Sequence, residues 1–155
     1  GKLGELPNTN TLENLIHQNK KWHKLKISPP GNVLFNYYLR KKIRFISNLD
    51  FHPASNNFYQ MKITENFHAQ LAILNSSFTI SSIEKAAKPQ GNGLKKIQLN
   101  KFREVRVLDA SRISETSRAS LSSLGEKLVD ANPKSINNIR KKIDDIVEKV
   151  IKPDS

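Results

Sequence analysis

Residues 133–151, PKSINNIRKKIDDIVEKVI, carry the clearest structural pattern in the chain. Apolar residues recur there every three or four positions, which predicts one buried face of an α-helix, at Ile136, Ile139, Ile143, Ile146, Val147 and Val150. Pro133 suits the first turn of that helix, where its missing N–H costs nothing. A second amphipathic helix, marked by Leu121, Leu124 and Leu128, precedes it. The end of the chain is therefore predicted to be a helical pair.

The chain before this pair favours short strands. Residues 33–39 are rich in β-branched and aromatic side chains, residues 41–49 alternate around Phe45, and residues 58–63 alternate again. Two more short strands are predicted at 96–99 and 105–108. Between them and the upstream strands, residues 88–93 (KPQGNG) have the composition of a loop.

Two helices are predicted among these strands. Thr11 is a suitable N-cap for a helix over residues 12–22. Asn66 opens a shorter helix, in which Phe67, Leu71 and Leu74 recur at helical spacing. The structure of the polar bridge at residues 76–87 stays open at this level.

Strands first and helices last, with no internal repeat, indicate an α+β fold. We expect a small twisted, mainly antiparallel sheet with flanking helices and the C-terminal helical pair. Three segments are predicted: a helical lead-in and linker (1–30), an α+β core (31–110) and the C-terminal helices (111–155). Because the chain begins Gly1-Lys2-Leu3-Gly4, without an initiator Met, we expect it to be a fragment of a longer protein.

Charge is the first indication of function. The 155 residues include 26 Lys and Arg against 14 Asp and Glu, a formal net charge of +12. Such an excess repels itself in a compact fold, and nucleic acid is the commonest polyanion to balance it. The absence of Cys excludes disulfides and cysteine-ligated zinc. A basic protein with no specific partner fits the composition equally well.

Motifs for catalysis are missing. The sequence has no Gly-rich turn for S-adenosylmethionine, no P-loop and no polar-Pro-Pro-aromatic motif for a flipped adenine; residues 28–31 (SPPG) read better as a turn. The four histidines lack metal-ligand spacing. Acidic residues such as Asp50, Glu65 and Asp109 are scattered. We therefore expect this fragment to be non-catalytic, with no metal site.

Basic residues form two groups beside polar loops. Arg40, Lys41, Lys42 and Arg44 make the first, and the second, which also includes Arg106, surrounds the Gly-rich segment. Lysines near glycines suit phosphate, and Asn or Gln side chains suit adenine in the major groove. A solvated turn remains the alternative for any single residue. The predicted DNA-binding residues are Arg40, Lys41, Lys42, Arg44, Asn56, Asn57, Lys88, Gln90, Asn92, Lys95, Lys96, Lys101 and Arg103.

Four stretches resemble the C-terminal target-recognition (specificity) domains of TaqI-like adenine-specific DNA methyltransferases of restriction-modification systems. Residues 68–77 (HAQLAILNSS) are similar to the family's LLALLNSS helix, and Asn57-Phe58-Tyr59 stands where the family has a comparable triplet. Residues 91–107 (GNGLKKIQLNKFREVRV) are similar to its Gly-rich segment, without the expected prolines. Residues 143–147 (IDDIV) are similar to its closing element. Together these cover roughly residues 31–151, and their order is more specific than any one motif.

The resemblance implies sequence-specific binding of double-stranded DNA on behalf of an adenine-N6 modification methylase. A catalytic methyltransferase domain in the same chain would supply the S-adenosylmethionine and adenine pockets and flip the base out of the duplex. The fragment itself is expected to hold no cofactor and to work in the prokaryotic cytoplasm without a membrane.

Three alternatives stay open. A DNA-specificity subunit of a multisubunit restriction-modification system uses similar domains, with residues 136–151 as a coiled-coil spacer; a stripe this short fits packing onto its own domain better. A basic RNA-binding module would need exposed aromatic residues, which Tyr37, Tyr38 and Tyr59 fit weakly. Membrane-surface binding through the basic residues 139–142 fits least, because the apolar face carries no Trp or Phe.

Overall fold

The computed structural model of the protein describes residues 8–16, 31–39, 44–49 and 58–152. The strands within these ranges are β1 (Thr9–Thr11), β2 (Val33–Asn36), β3 (Tyr38–Leu39), β4 (Phe45–Ser47), β5 (Phe58–Met61), β6 (Lys88–Gly91), β7 (Leu94–Lys96) and β8 (Arg106–Leu108). The α-helices are α1 (Leu12–Ile16), α2 (Phe67–Leu74), α3 (Ser77–Ala86), α4 (Leu99–Glu104), α5 (Glu115–Asp130) and α6 (Pro133–Ile151). The predicted α+β class with flanking helices is confirmed.

The described strands form three small antiparallel sheets instead of one. Their orders are β1-β8, β4-β2-β5 and β3-β7-β6. The strand predicted at residues 33–39 is interrupted at Tyr37, because the Asn36 side chain accepts a hydrogen bond from the Tyr38 backbone N–H at 2.9 Å. Such a local Asn-to-backbone bond competes with strand pairing. The break sends β2 into one sheet and β3 into the sheet that carries the basic hairpin.

Two hydrophobic clusters fill the interior. The first lies under the sheets, where the ring centroids of Phe35 and Phe45 are 4.5 Å apart and those of Phe35 and Phe102 are 5.2 Å apart. The second joins α2 to α5 and α6 and contains Leu121 and Ile143. Residues from all three predicted segments contribute to these clusters.

Buried carboxamides attach α2 to strand backbone. Asn75 Oδ1 accepts the Phe45 N–H at 2.9 Å, and Asn75 Nδ2 donates to the Phe45 carbonyl at 3.1 Å. Gln70 does the same between Leu108, whose carbonyl accepts at 3.0 Å, and Ala110, whose N–H donates at 2.9 Å. Both side chains satisfy backbone groups that would otherwise be buried without partners.

Helix α6 packs on its own domain as predicted, with Ile139, Ile143 and Val147 buried. Two polar side chains one turn apart fix it to the start of α3. Asp144 accepts hydrogen bonds from the Ser77 N–H and hydroxyl at 2.7 and 2.6 Å, and Arg140 Nε donates to the Asn75 carbonyl at 3.0 Å. The stripe therefore serves intramolecular packing, as expected from its length.

Local sequence signals set some element boundaries, and tertiary packing sets others. Thr11 caps α1 through the Asn14 N–H at 3.2 Å, while residues 17–22 of the predicted helix lie outside the described residues. The polar bridge at residues 76–87 contains α3, with Ser76 as its N-cap. The strand predicted at 96–99 is wrong, because β7 ends at Lys96 and α4 begins at Leu99. Phe102 faces the core from that helix, so tertiary packing overrides the local strand propensity. None of the helices in the described ranges is both long and apolar enough to cross a bilayer.

Candidate nucleic-acid interface

Residues 88–96 form a β-hairpin, so the loop predicted at residues 88–93 is wrong. Strands β6 and β7 pair antiparallel and turn at Asn92-Gly93, with φ angles of 54° and 76°. Two consecutive positive φ values characterise the type I′ turn that matches strand twist, and Asn-Gly is its preferred dipeptide. Gly91, at φ 94°, lies at an irregularity in the strand register. The Asn-Gly pair was thus the sequence signal that identifies this hairpin.

The strand register places three lysines on the hairpin. Lys88 and Tyr38 both pair with Lys96 across the sheet, so these three side chains share one face. Lys95, which pairs with Pro89 and Leu39, lies on the other face. Lys88 and Lys95 are exposed and Lys96 is half-buried. Positive charge therefore lies on both sides of the ribbon.

These lysines have no carboxylate partner among the residues that the structure describes. The described salt bridges are Lys101 to Glu104 at 4.0 Å and Arg112 to Asp109 at 3.6 Å. Lys88 and Lys96 stand directly opposite each other, and like charges so placed destabilise a strand pair. An external anion at the hairpin would relieve this repulsion.

A tyrosine cluster supports the base of the hairpin. The Lys96 Nζ lies 5.1 Å from the Tyr37 ring centroid and 5.5 Å from that of Tyr38, within the range of cation–π attraction. Tyr37 also packs against Tyr59 at 4.9 Å, and the Tyr59 hydroxyl donates to the Ile97 carbonyl at 2.8 Å. Burial, and secondarily the neighbouring Tyr37, raises the pKa of Tyr59. The rings are occupied with each other and with Lys96, which disfavours a role as base-stacking platforms.

The two carboxamide residues predicted to bind DNA in this segment lie near the tip of the hairpin. Gln90 and Asn92 are both exposed, on either side of Gly91. Their carboxamides each carry a donor and an acceptor, the pair needed to bind the major-groove edge of adenine.

The remaining basic residues of the second predicted cluster follow the hairpin in the chain and have different contacts. Lys101 and Arg103 lie on α4, where Lys101 pairs with Glu104. Arg106 Nη2 donates to the Thr9 hydroxyl at 2.9 Å and to the Thr9 carbonyl at 3.3 Å. Arg106 therefore joins β8 to β1 and serves the fold.

The first predicted cluster is represented by one described residue. Arg40, Lys41, Lys42, Asn56 and Asn57 lie outside the described residues. Arg44 is exposed and lines a cleft of about 150 Å³ that Asn75 and Arg140 also line. The structure thus places Arg44 beside α6, at a cleft whose lining includes none of the hairpin lysines.

The sequence matches no protein-family model, and no curated protein sequence matches it significantly.

Proposed function

We propose that the protein binds double-stranded DNA as the target-recognition domain of an adenine-N6 DNA methyltransferase. The observation that carries the proposal is the β6–β7 hairpin, which presents Lys88, Lys95 and Lys96 on its two faces and two carboxamides at its tip. A polyanion is the partner that suits both this local charge and the net charge of +12.

The shape of the hairpin favours duplex DNA as that polyanion. The major groove, about 12 Å wide, admits a two-stranded β-ribbon, and β6 and β7 form such a ribbon at the edge of the three-stranded sheet β3-β7-β6. Lysines on both faces of such a ribbon would lie near the phosphates of both groove walls. Gln90 and Asn92 would then face base edges, where a good bidentate contact contributes about 1–3 kcal/mol of discrimination.

The methyltransferase part of the proposal rests on the resemblance of residues 68–77 and 143–147. In the fold these two stretches meet, since Ser77 of the first bonds to Asp144 of the second. A catalytic domain elsewhere in the same chain would hold S-adenosylmethionine and act on the adenine, within the prokaryotic cytoplasm. The domain described here would select the DNA sequence that is methylated.

Duplex binding across a salt series tests the proposal. We expect the affinity for random-sequence duplex DNA to fall steeply with salt, and to exceed that for duplex RNA or anionic vesicles. Changing Lys88, Lys95 and Lys96 together to Gln should weaken DNA binding at least tenfold at low salt. The slope of log K against log salt should become shallower by about 2.7, since each lost phosphate contact removes about 0.9.

A charge-matched control separates a defined interface from diffuse attraction. Lys134, Lys141 and Lys149 are exposed on α6, and their triple Gln variant loses the same three charges. It should bind DNA nearly as the parent does. Equal loss in the two variants, or preference of the parent for RNA or lipid, would contradict the proposal.

A further inference from the structure

A second surface feature lies between α3 and α4. Phe78, Ser82, Lys85 and Ala86 line one wall of a groove of about 330 Å³, and Lys101, Glu104, Val105 and Arg106 line the other. The α3 residues have the i, i+4, i+7, i+8 spacing of a single helix face. The opposite face of α3 packs into the core through Ile80 and Ile83.

The apolar residues that line the groove pack against both hydrophobic clusters. Ala86 packs against the cluster under the sheets, and Phe78 packs against the cluster of α2, α5 and α6. An apolar side chain seated there would contact both clusters at once. Burial of apolar surface is the main source of favourable free energy in such docking.

The charged residues that line the groove are mainly basic. They are Lys85, Lys101 and Arg106 against one carboxylate, Glu104, which lies 4.0 Å from Lys101. Arg106 still contributes its positive charge here, because its hydrogen-bond partner Thr9 is neutral.

We infer that this groove docks an acidic segment of a partner protein, one that places an apolar side chain on Phe78 and a carboxylate near Lys85 and Arg106. Charge complementarity selects this occupant, because a groove lined by apolar and mainly cationic side chains matches an amphipathic acidic peptide. The inference concerns a surface apart from the β6–β7 hairpin and goes beyond the proposed DNA binding.

Fluorescence anisotropy with defined probes tests it. The probe is a short labelled peptide of alternating glutamate pairs and leucine pairs, compared with one in which serine replaces leucine and one in which lysine replaces glutamate. The glutamate–leucine peptide should bind the full chain at least tenfold more tightly than either comparison peptide. Amide chemical shifts in ¹⁵N spectra should change along α3 and α4.

Matched charge reversals locate the site. Lys85 and Lys127 are both exposed lysines in the last turn of their helices, α3 and α5. Lys85→Glu should weaken peptide binding at least tenfold, whereas Lys127→Glu should change it less than threefold. Equal effects of the two reversals, absence of binding, or shift changes away from α3 and α4 would each overturn the inference.

DNA binding by the same variants keeps the two proposals distinguishable. Lys85→Glu should bind duplex DNA as Lys127→Glu does. If it instead loses DNA affinity as the hairpin variant does, the groove belongs to the DNA surface and the peptide inference fails while the proposed function stands. If the unmodified chain binds no DNA but does bind the peptide, the proposed function fails and the peptide inference stands.

Discussion

The corner between α2 and α3 and the β6–β7 hairpin are both rich in polar residues but use them in opposite ways. At the corner, Gln70, Asn75 and Ser76 are buried, and each is hydrogen-bonded. On the hairpin, Lys88 and Lys95 are exposed and form no ion pair with a described residue. The polar groups of the α2–α3 corner stabilise the fold, and those of the hairpin are available to a ligand.

This difference shows why a recognisable sequence stretch need not be a binding site. Residues 68–77 are one of the stretches that carry the resemblance, yet their polar side chains satisfy backbone groups of β4, β8 and Ala110. Their spacing is set by hydrogen-bond geometry. Residues that contact DNA in our proposal come from the adjacent hairpin, whose side chains the fold does not need.

Removing the Asn75 carboxamide should have the largest effect on stability. Asn75→Ala leaves the buried Phe45 N–H and carbonyl without partners at this edge of β4. An unsatisfied buried group costs about 1–3 kcal/mol, so we expect a loss of about 3 kcal/mol or more in the free energy of unfolding. Urea denaturation measures it. Asn138→Ala, at an exposed position of α6, is the control and should change stability by no more than about 0.5 kcal/mol.

Gly125→Ala should have the second-largest effect on stability, because it pushes α5 away from α2. A Cβ built at Gly125 meets the His68 carbonyl oxygen at 1.9 Å, so α5 must move away from α2. Overpacking of this kind costs about 1–3 kcal/mol, partly offset by the better helix propensity of Ala. We expect a net loss of about 1–2 kcal/mol and a lower Tm by calorimetry. Ser120→Ala on the exposed side of α5 should not lower it; an unchanged Tm for Gly125→Ala would refute the close helix contact.

The hairpin should respond in the opposite sense and by the smallest amount. Lys88→Glu converts a like-charge pair with Lys96 into an attractive one, which should raise stability by about 0.5 kcal/mol at low salt. The same change should weaken DNA binding by removing a phosphate contact.

Lys95→Glu provides the contrast, since Lys95 faces Pro89 and Leu39 across the sheet. It should weaken DNA binding without the gain in stability. Parallel losses of stability and affinity in both variants would mean that the hairpin lysines serve the fold, which would remove the contrast between the two regions.

Elements with a strong local signal were predictable. Helix α6 follows from its apolar repeat and Pro133, and the start of α1 follows from the Thr11 cap. The hairpin was wrongly predicted as a loop, although Asn92-Gly93 carries the sequence signal of its turn. Helix α3 was harder, since its Ser and Thr residues are weak helix formers and Ser76 and Asp144 complete its first turn. The candidate site was predictable only as a set of basic residues.

Sequence alone determined the fold class, the helical pair and the excess of positive charge, because each depends on composition or on periodicity within one segment. The tertiary structure decided which cations remain available. The Arg106 guanidinium is hydrogen-bonded to Thr9, nearly a hundred residues away in the chain. The Lys96 ammonium lies over the rings of Tyr37 and Tyr38. Such pairings depend on strand register and helix packing between distant segments, and no local pattern of residues encodes them.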